Sequence, residues 1–514
     1  MSQKSIFPGA VNFSVATFIS KSAGFLRDAL VMTVFGSGKL TDAYYAAFRL
    51  INLFRKTLGE GAVNAAVIPM LQEKRKNAKT NIQEFFNSFF ILLTFASLII
   101  SVLGIIFRKE VVKMASYGFL YDKLQYDLTS LIAGFLLAQI VFIGMSSFFQ
   151  CILNAERKFF VPALGPAVFS GILIIYLLLL KFGFLSDLSG RMKITILAAL
   201  ATVSASMQTA FLLFFFKRSG FTLKFSNPFK NRKVHFVLLL ILPALLASAQ
   251  DQILMFTNTL FASFMEPGSI TSLYNSYRII NLPIALFAMA ASQTAFVELS
   301  KSFSAHNPHQ FNRIFNEALR INSAILIPAS FGIMAISLLI TQALFQHGKF
   351  TFHESFTTAK TLFFFSFGII GFGICKIANA ACFSSGKISL IIKISLLLIF
   401  MNVLLCMAFA NKGAWGLALA TSTSCLFSAS VYLLTLHRHF GKILNNETLI
   451  FTLKSFMASV IMGLAAFILS KILFGISAVL SVSIIIPFSI TLYFLTMKAL
   501  KADLAFFLWS KNED

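Results

Sequence analysis

Apolar stretches long enough to cross a lipid bilayer recur along almost the whole chain. A helix that spans the hydrocarbon core needs about 20 mostly apolar residues. Of the 514 residues, 57% are hydrophobic and only 12% are charged, which is about half the charged share of soluble domains. So few charges cannot cover the surface of a soluble protein of this length. The sequence therefore predicts an all-α integral membrane protein.

We count about fourteen candidate membrane spans, of which the first, second, seventh and eighth are the least apolar. They fall at about 9–35, 42–71, 83–107, 125–151, 160–181, 194–216, 235–264, 269–299, 312–343, 356–383, 388–410, 413–436, 447–472 and 476–500. Lys and Arg are more frequent in alternate loops, and the positive-inside bias then places both termini in the cytoplasm.

The longest basic loop lies between the sixth and seventh spans and suggests a division of the chain. We expect an N-terminal lobe of spans 1–6 at 1–217 and a cytoplasmic inter-lobe linker at 218–234. A C-terminal lobe of spans 7–12 is expected at 235–440, followed by a C-terminal helix pair and a short cytoplasmic tail at 441–514.

Composition also excludes several classes of function. The net charge is +24, but the basic residues are scattered between apolar runs and form no soluble nucleic-acid-binding domain. The five cysteines include no CxxC pair, so no disulfide framework or zinc motif is expected. The alternative class is a membrane-embedded glycosyltransferase or phosphatase. The seven histidines form no phosphatase-like motif, so we predict that the protein is not an enzyme.

Two similar segments open the second and eighth spans. Tyr45-Ala-Ala-Phe-Arg49-Leu-Ile-Asn52-Leu and Tyr274-Asn-Ser-Tyr-Arg278-Ile-Ile-Asn281-Leu share five of nine residues. Because the two copies stand at equivalent places in the two halves, we favour internal duplication over a chance match. Internal repeats are typical of secondary transporters, whose substrate sites lie between the repeats.

Charged side chains at membrane depth usually face a cavity or a partner, because each costs about 2.5–3.5 kcal/mol at the bilayer centre. Helical spacing groups such residues into stripes on three spans. The stripes contain Lys21 and Asp28 in span one, Arg49, Asn52, Lys56 and Glu60 in span two, and Arg278 and Asn281 in span eight. Arg27 lies about a third of a turn or more from the first stripe, and Arg55 lies on the flank of the second. For Lys21 and Lys56, snorkelling to the interface is the alternative.

These cations outnumber the nearby carboxylates, so a water-filled cavity lined by them would attract an anion. The planar guanidinium donates two parallel hydrogen bonds and suits phosphate or pyrophosphate. The sequence thus predicts an anionic substrate in a shared chamber halfway through the membrane.

The motifs that carry these charges resemble those of the MurJ/MviN family of lipid II flippases, in the multidrug/oligosaccharidyl-lipid/polysaccharide exporter superfamily. In the first half they read Ser20-Lys21-Ser-Ala-Gly24-Phe-Leu-Arg27-Asp28, Thr41-Asp42-Ala-Tyr-Tyr, Phe48-Arg49-Leu-Ile-Asn52-Leu-Phe-Arg55-Lys56 and Gly59-Glu60-Gly61-Ala62. In the second half they read Asn258-Thr-Leu-Phe-Ala-Ser-Phe and the segment from Tyr274 to Pro283.

The resemblance implies two six-helix lobes in a V, plus two C-terminal helices. It implies a flippase of the bacterial cytoplasmic membrane that moves lipid II, the undecaprenyl-pyrophosphate-linked peptidoglycan precursor, from the inner to the outer leaflet by alternating access. A flippase for another undecaprenyl-linked oligosaccharide is the alternative. Expected partners are lipid II and membrane lipids, with no nucleic acid, and contacts with other cell-wall synthesis proteins are left open.

Family roles carry over to particular residues. The resemblance implies that Arg27, Asp28, Arg55 and Arg278 line the cavity, and that the arginines hold the pyrophosphate. Asp42 would lie at the outer gate and Glu60 in a turn of span two.

The chain departs from the family pattern at three places. Lys21 replaces a common Arg, Asn281 replaces a Glu of some members, and Cys406 stands where an acid is expected. Asp251 and Asn402 are candidate sodium ligands, so sodium coupling is left open and no other cofactor is expected.

Overall fold

The computed structural model describes residues 7–55, 63, 82–156, 158–228, 250–441, 443–473 and 475–502, with side chains from residue 15 onward except that of residue 82. Nearly all of these residues lie in helices or in short turns between them. The helices are α1 (Phe7–Phe35), α2 (Lys39–Phe54), α3 (Ile82–Ile106), α4 (Arg108–Ala115), α5 (Lys123–Leu137), α6 (Gln139–Ala155), α7 (Phe160–Lys181), α8 (Gly190–Arg218), α9 (250–262), α10 (Ser269–Pro283), α11 (Met289–Ser304), α12 (Pro308–Ala335), α13 (Ser337–Phe345), α14 (Phe352–Ser366), α15 (Gly368–Ser384), α16 (Ile388–Phe409), α17 (Ala414–Phe440), α18 (Asn446–Ile472) and α19 (Ala478–Ala499).

The predicted all-α membrane fold is confirmed, and the protein is a multi-pass membrane protein. Among the described residues, ten helical stretches are long and apolar enough to cross a membrane, or eleven if the bent pair α14 and α15 is one span. The expected spans one, two and seven are not among them. Helix α1 has the length but carries Lys21, Arg27 and Asp28, and the other two extend outside the described residues. The total of fourteen therefore stays a prediction.

The chain divides into two compact units. The first unit contains the described residues up to Gly268 together with Gly348–Phe350, and the second contains the rest. Residues 250–268 thus group with the first unit, and the lobe boundaries expected from sequence stay a prediction.

Within the first unit, α1 packs against α7, α2 against α5, and α3 against α6. A phenylalanine-rich core that includes Phe86, Phe148 and Phe216 joins α3, α6 and α8. In the second unit, α10 packs against α14, α11 against α15, and α16 against α17. The last two helices pack on this unit, α18 against α12 and α19 against α13.

Helix boundaries repeat along the chain with a constant spacing of 229 residues. Helix α5 runs from Lys123 to Leu137, and α14 runs from Phe352 to Ser366. Their continuations α6 and α15 begin and end with the same spacing, each after a one-residue interruption. The structure therefore extends the repeat predicted from nine residues to whole helices.

The two copies of the repeated motif are also buried alike. Residues 41–47 of α2 and the equivalent residues 270–276 of α10 are all buried. Arg55, two residues beyond the first copy, has π-helical geometry, and the equivalent Ile284 begins the π-helix Ile284–Ala288. Since π-helical turns are rare and often mark functional sites, this shared position supports a common origin of the two segments.

One glycine permits a close approach inside the first unit. The short 3₁₀ helix Tyr117–Tyr121 lies against the end of α9, where the Gly118 N–H donates to Ser263 Oγ at 2.9 Å. A Cβ at Gly118 would lie only 2.3 Å from the Ser263 carbonyl oxygen and 2.6 Å from the Phe264 nitrogen. Backbone atoms cannot move aside as a flexible side chain does, so only glycine fits here.

Gly118→Ala is therefore expected to destabilise the purified protein by about 2 kcal/mol, within the range typical of overpacking. Thermal unfolding in detergent measures the effect. Gly171→Ala in α7 is the control, because no atom lies within 4 Å of its Cβ position and alanine favours helices. Equal unfolding temperatures for the two variants would contradict this account of Gly118.

Candidate substrate-binding residues

A buried ion pair stands in α1. Arg27 Nη2 and Nε donate to Asp28 Oδ1 at 2.6 and 2.9 Å, and the two residues are only 8% and 2% exposed. A lone charge in this surrounding would cost several kcal/mol, and the opposite charge offsets much of that cost. The prediction that these charges avoid lipid agrees with their burial.

Aromatic rings complete the surroundings of Arg27. Its guanidinium carbon lies 5.9 Å from the centre of the Phe48 ring in α2 and 5.7 Å from that of the Phe169 ring in α7. Cation–π contacts of this length are worth about 0.5–2 kcal/mol. Three helices therefore hold the guanidinium, and Phe48 directly precedes Arg49 of the repeated motif.

The other candidates in the first unit differ in their exposure. Arg49 is buried in α2, whereas Lys21 and Asn52 are half-buried. Arg55, at the end of α2, is exposed. Lys56 and Glu60 lie outside the described residues.

The second unit carries the equivalent motif in α10. Arg278 is half-buried and Asn281 is exposed. Upstream of Arg278, the buried Ser276 hydroxyl donates to the Thr358 carbonyl of α14 at 3.0 Å. Helix α10 is thus fastened to α14 one turn or less from its arginine.

Asp42 fixes a turn instead of facing open space. Its Oδ2 accepts a hydrogen bond from the Gly268 backbone nitrogen at 2.6 Å, and the carboxylate is buried. Gly268 adopts the left-handed φ of +96°, and its carbonyl accepts a 3.3 Å hydrogen bond from Ser37 Oγ. Asp42 therefore joins the start of α2 to the turn that follows α9.

A second, exposed ion pair lies at the beginning of α5. Lys39 Nζ and Asp122 Oδ2 are 2.6 Å apart. The hydrogen bond from Lys39, with a further one from the Gln125 backbone, lowers the pKa of Asp122 below its usual value of 3.8. The carboxylate is therefore ionised at neutral pH and joins α2 to α5 at the same end of the helices as Asp42.

The candidate sodium ligands fit only in part. Asn402 is buried in α16, where its Nδ2 lies 3.3 Å from Thr421 Oγ1 and its Oδ1 lies 3.8 Å from Cys406 Sγ. Sodium is a hard cation that prefers oxygen, which Asn402 and Thr421 offer and Cys406 does not. Asp251 is half-buried in the first unit, and the described residues hold no cluster of three or more His, Cys, Asp or Glu suited to a metal.

Several interacting groups were not among the residues expected from sequence. Phe48 lies within the repeated motif, so its place beside Arg49 was a usable signal. Phe169 and Gly268 carry no comparable signal, because their roles depend on contacts between distant parts of the chain.

Comparison with solved structures identifies the fold. The chain matches "Lipid II flippase MurJ, inward closed conformation" with a TM-score of 0.80 over 96% of this chain and 99% of that one, at 24% identity. It also matches an inward-facing multidrug resistance MATE family transporter of the MOP superfamily, with a TM-score of 0.66 over 85% of this chain and 98% of that one, at 14% identity. The chain therefore shares its fold with these two helical membrane proteins.

Sequence comparison then gives the family. A family model described as "Lipid II flippase MurJ" matches residues 31–501, so the chain belongs to the MurJ family of lipid II flippases. A probable lipid II flippase MurJ of Buchnera aphidicola subsp. Schizaphis graminum is 31% identical over 81% of this chain and 80% of that protein. The lipid II flippase MurJ of Burkholderia cenocepacia is 25% identical over 83% of each.

Replacing Asp42 tests its role in the turn. Asp42→Ala removes the acceptor for the buried Gly268 N–H, and we expect a loss of about 1.5–3 kcal/mol, as for hydrogen bonds to charged groups. Asp42→Asn keeps an oxygen acceptor and should lose less. Thermal unfolding measures stability, and faster hydrogen exchange at Gly268 in Asp42→Ala would locate the effect.

The matched control is Ser37→Ala, which removes the longer hydrogen bond to the same turn. If Asp42→Ala unfolds at the wild-type temperature, the carboxylate does not hold this turn.

Proposed function

We propose that this protein moves lipid II from the inner to the outer leaflet of the bacterial cytoplasmic membrane. The observation that carries the proposal is the buried Arg27, held by Asp28 and two aromatic rings in a chain of the MurJ family. An arginine kept at this depth costs free energy, which favours a functional role for it. The proposed cargo is anionic, and its pyrophosphate matches the guanidinium fork.

Exchange of partners at Arg27 is the central step of the proposed mechanism. Without substrate, Asp28 neutralises the guanidinium through Oδ1. A pyrophosphate group carries more negative charge and more acceptor oxygens than one carboxylate, so it competes for the same donors. Phe48 and Phe169 interact with the guanidinium through their rings and accept none of its hydrogen bonds, so its N–H groups remain the donors for the substrate.

The second unit supplies the equivalent arginine. Arg278 occupies the position in α10 that Arg49 occupies in α2, so each repeat offers one guanidinium to the headgroup. We propose that the two six-helix lobes form a V around a common chamber, with Lys21, Asn52, Arg55 and Asn281 along its walls. Alternating access then exposes this chamber to each leaflet in turn, with both chain termini in the cytoplasm.

Replacement of Arg27 tests the proposal in proteoliposomes that contain fluorescent lipid II, with a membrane-impermeant quencher reporting the leaflet. Loss of one partner of a buried charge pair costs about 2–5 kcal/mol, so Arg27→Ala should slow flipping on the order of a hundredfold. Arg27→Lys keeps the charge beside Asp28 but loses the planar fork. We expect it to fold normally and to flip about tenfold more slowly.

Arg313→Ala is the control, since Arg313 is exposed and pairs with Glu317 on the surface of α12. Its flipping rate should equal that of the wild type. If Arg27→Lys and Arg27→Ala both flip at the wild-type rate, Arg27 does not bind the headgroup. If the wild type moves a different undecaprenyl-pyrophosphate-linked oligosaccharide and no lipid II, the substrate assignment is wrong.

A further inference from the structure

The fourth span of each half is interrupted at the same place. Helix α5 gives way to α6 at Ala138, and α14 gives way to α15 at the equivalent Phe367. Helices α14 and α15 are bent by 42°, whereas α5 and α6 pass together as a single 33-residue stretch. The interruption is thus common to both halves, and the 42° bend belongs to the second half.

Equivalent hydroxyl groups bond to the carbonyls before each interruption. Ser101 of α3 donates to the Leu137 carbonyl at 3.1 Å, and Ser330 of α12, 229 residues later, donates to the Ser366 carbonyl at 2.7 Å. Both serines are buried.

A second hydroxyl reaches each interruption from the sixth span. Thr202 of α8 donates to the Phe135 carbonyl at 2.6 Å, and Ser422 of α17 donates to the equivalent Phe364 carbonyl at 2.8 Å. Two neighbouring helices therefore support each interruption in the same way.

These hydroxyls solve a problem that lipid creates. A helix that is interrupted or bent weakens the backbone hydrogen bonds around that point, and hydrocarbon offers no replacement partner. Ser and Thr hydroxyls from neighbouring helices supply one. A carbonyl bonded to a side chain keeps its partner when the helix bends, because a side chain adjusts more easily than a helical backbone.

The segments on either side of the interruption have different neighbours. In the second unit, α14 packs against α10, which carries Arg278, whereas α15 packs against α11. Helices α10 and α11 are themselves separated by the π-helix Ile284–Ala288. Two spans that pack against each other are thus each divided into two helices. The first helices of the two spans, α10 and α14, pack together, and so do the second helices, α11 and α15.

In the first unit, the helix before the interruption likewise packs against a helix that carries an arginine. Helix α5 packs against α2, which carries Arg49, whereas α6 packs against α3. At the start of α6, the buried Gln139 has a side-chain amide nitrogen without a hydrogen-bond partner among the described residues. A buried donor without a partner is costly, so a different bend that supplies a partner would be favoured by this residue.

We propose that the interruptions at Ala138 and Phe367 are equivalent hinges of the transport cycle, and that Ser101, Thr202, Ser330 and Ser422 are positioning residues that hold them. Bending moves the arginine helices α2 and α10 together with α5 and α14, relative to α6 and α15. This inference rests on the proposed function, because it assigns the conformational change that exposes the chamber to each leaflet.

Removal of one hydroxyl from each hinge tests the proposal. Ser101→Ala/Ser330→Ala should flip lipid II about 25-fold more slowly, since each of the two net hydrogen bonds is worth about a factor of five. Ser101→Thr/Ser330→Thr keeps the hydroxyls and should restore the rate. Thr129→Val/Thr361→Val is the matched control, because within the described part of the chain these hydroxyls bond only to carbonyls of their own helices, Gln125 and Thr357. Wild-type flipping by the double alanine variant would overturn the role of the serines.

A distance measurement separates hinge motion from mere packing. Spin labels at the exposed Phe356 and Phe383 lie on either side of the second hinge, about 40 Å apart at 1.5 Å per residue. We expect their distance distribution to change when lipid II is added to the wild type, and to change less in Ser330→Ala. Labels at Leu449 and Phe467 of the uninterrupted α18 should give one unchanged distance.

The two proposals fail in different ways. If the wild type flips lipid II while the 356–383 distance stays constant, the hinge is wrong and the proposed function stands. If the wild type flips another lipid and the distance changes with that lipid, the hinge stands and only the substrate assignment fails.

Discussion

Hydrocarbon offers no hydrogen bonds, so each polar group that this chain carries into the membrane needs a partner within the protein. That requirement explains the placement of its buried polar side chains. Asp28 and two rings surround Arg27, the Asp42 carboxylate accepts from Gly268, and serine hydroxyls bond to carbonyls beside the interrupted helices. Each of these three departures from a plain apolar helix is accompanied by a specific interaction, and these interactions mark residues to which we assign proposed functions.

Much of the fold could be predicted because membrane spans and charge at depth are local signals. A run of apolar residues is visible in the sequence, and the motif shared by Arg49 and Arg278 revealed the duplication. The count of spans was harder to establish, since α1 carries three charged residues and does not pass as an ordinary apolar helix. The same charges that keep it from passing as an apolar helix are the ones to which we assign a proposed role in substrate binding.

Contacts between distant residues could not be predicted in the same way. Nothing near Phe169 in the sequence indicates that its ring faces Arg27, and nothing near Ser101 indicates that it bonds to Leu137. Both depend on how helices pack, which one sequence does not encode as a local pattern. The exposure of Arg55 and Asn281 could not be predicted for the same reason. Helical spacing gives the relative directions of side chains, but it does not tell which face of the helix is covered by its neighbours.

The first unit contains segments that are far apart in the sequence, and this has a consequence for biosynthesis. Asp42 bonds to Gly268, and the Lys349 backbone nitrogen bonds to the Thr33 carbonyl at 2.9 Å. Domains generally fold in order as the chain leaves the ribosome, but this unit lacks its final contacts until residues near 350 have been synthesised. The early helices are therefore in the bilayer before the unit is complete. Translation of the residues near 350 determines the earliest time at which the unit can finish folding.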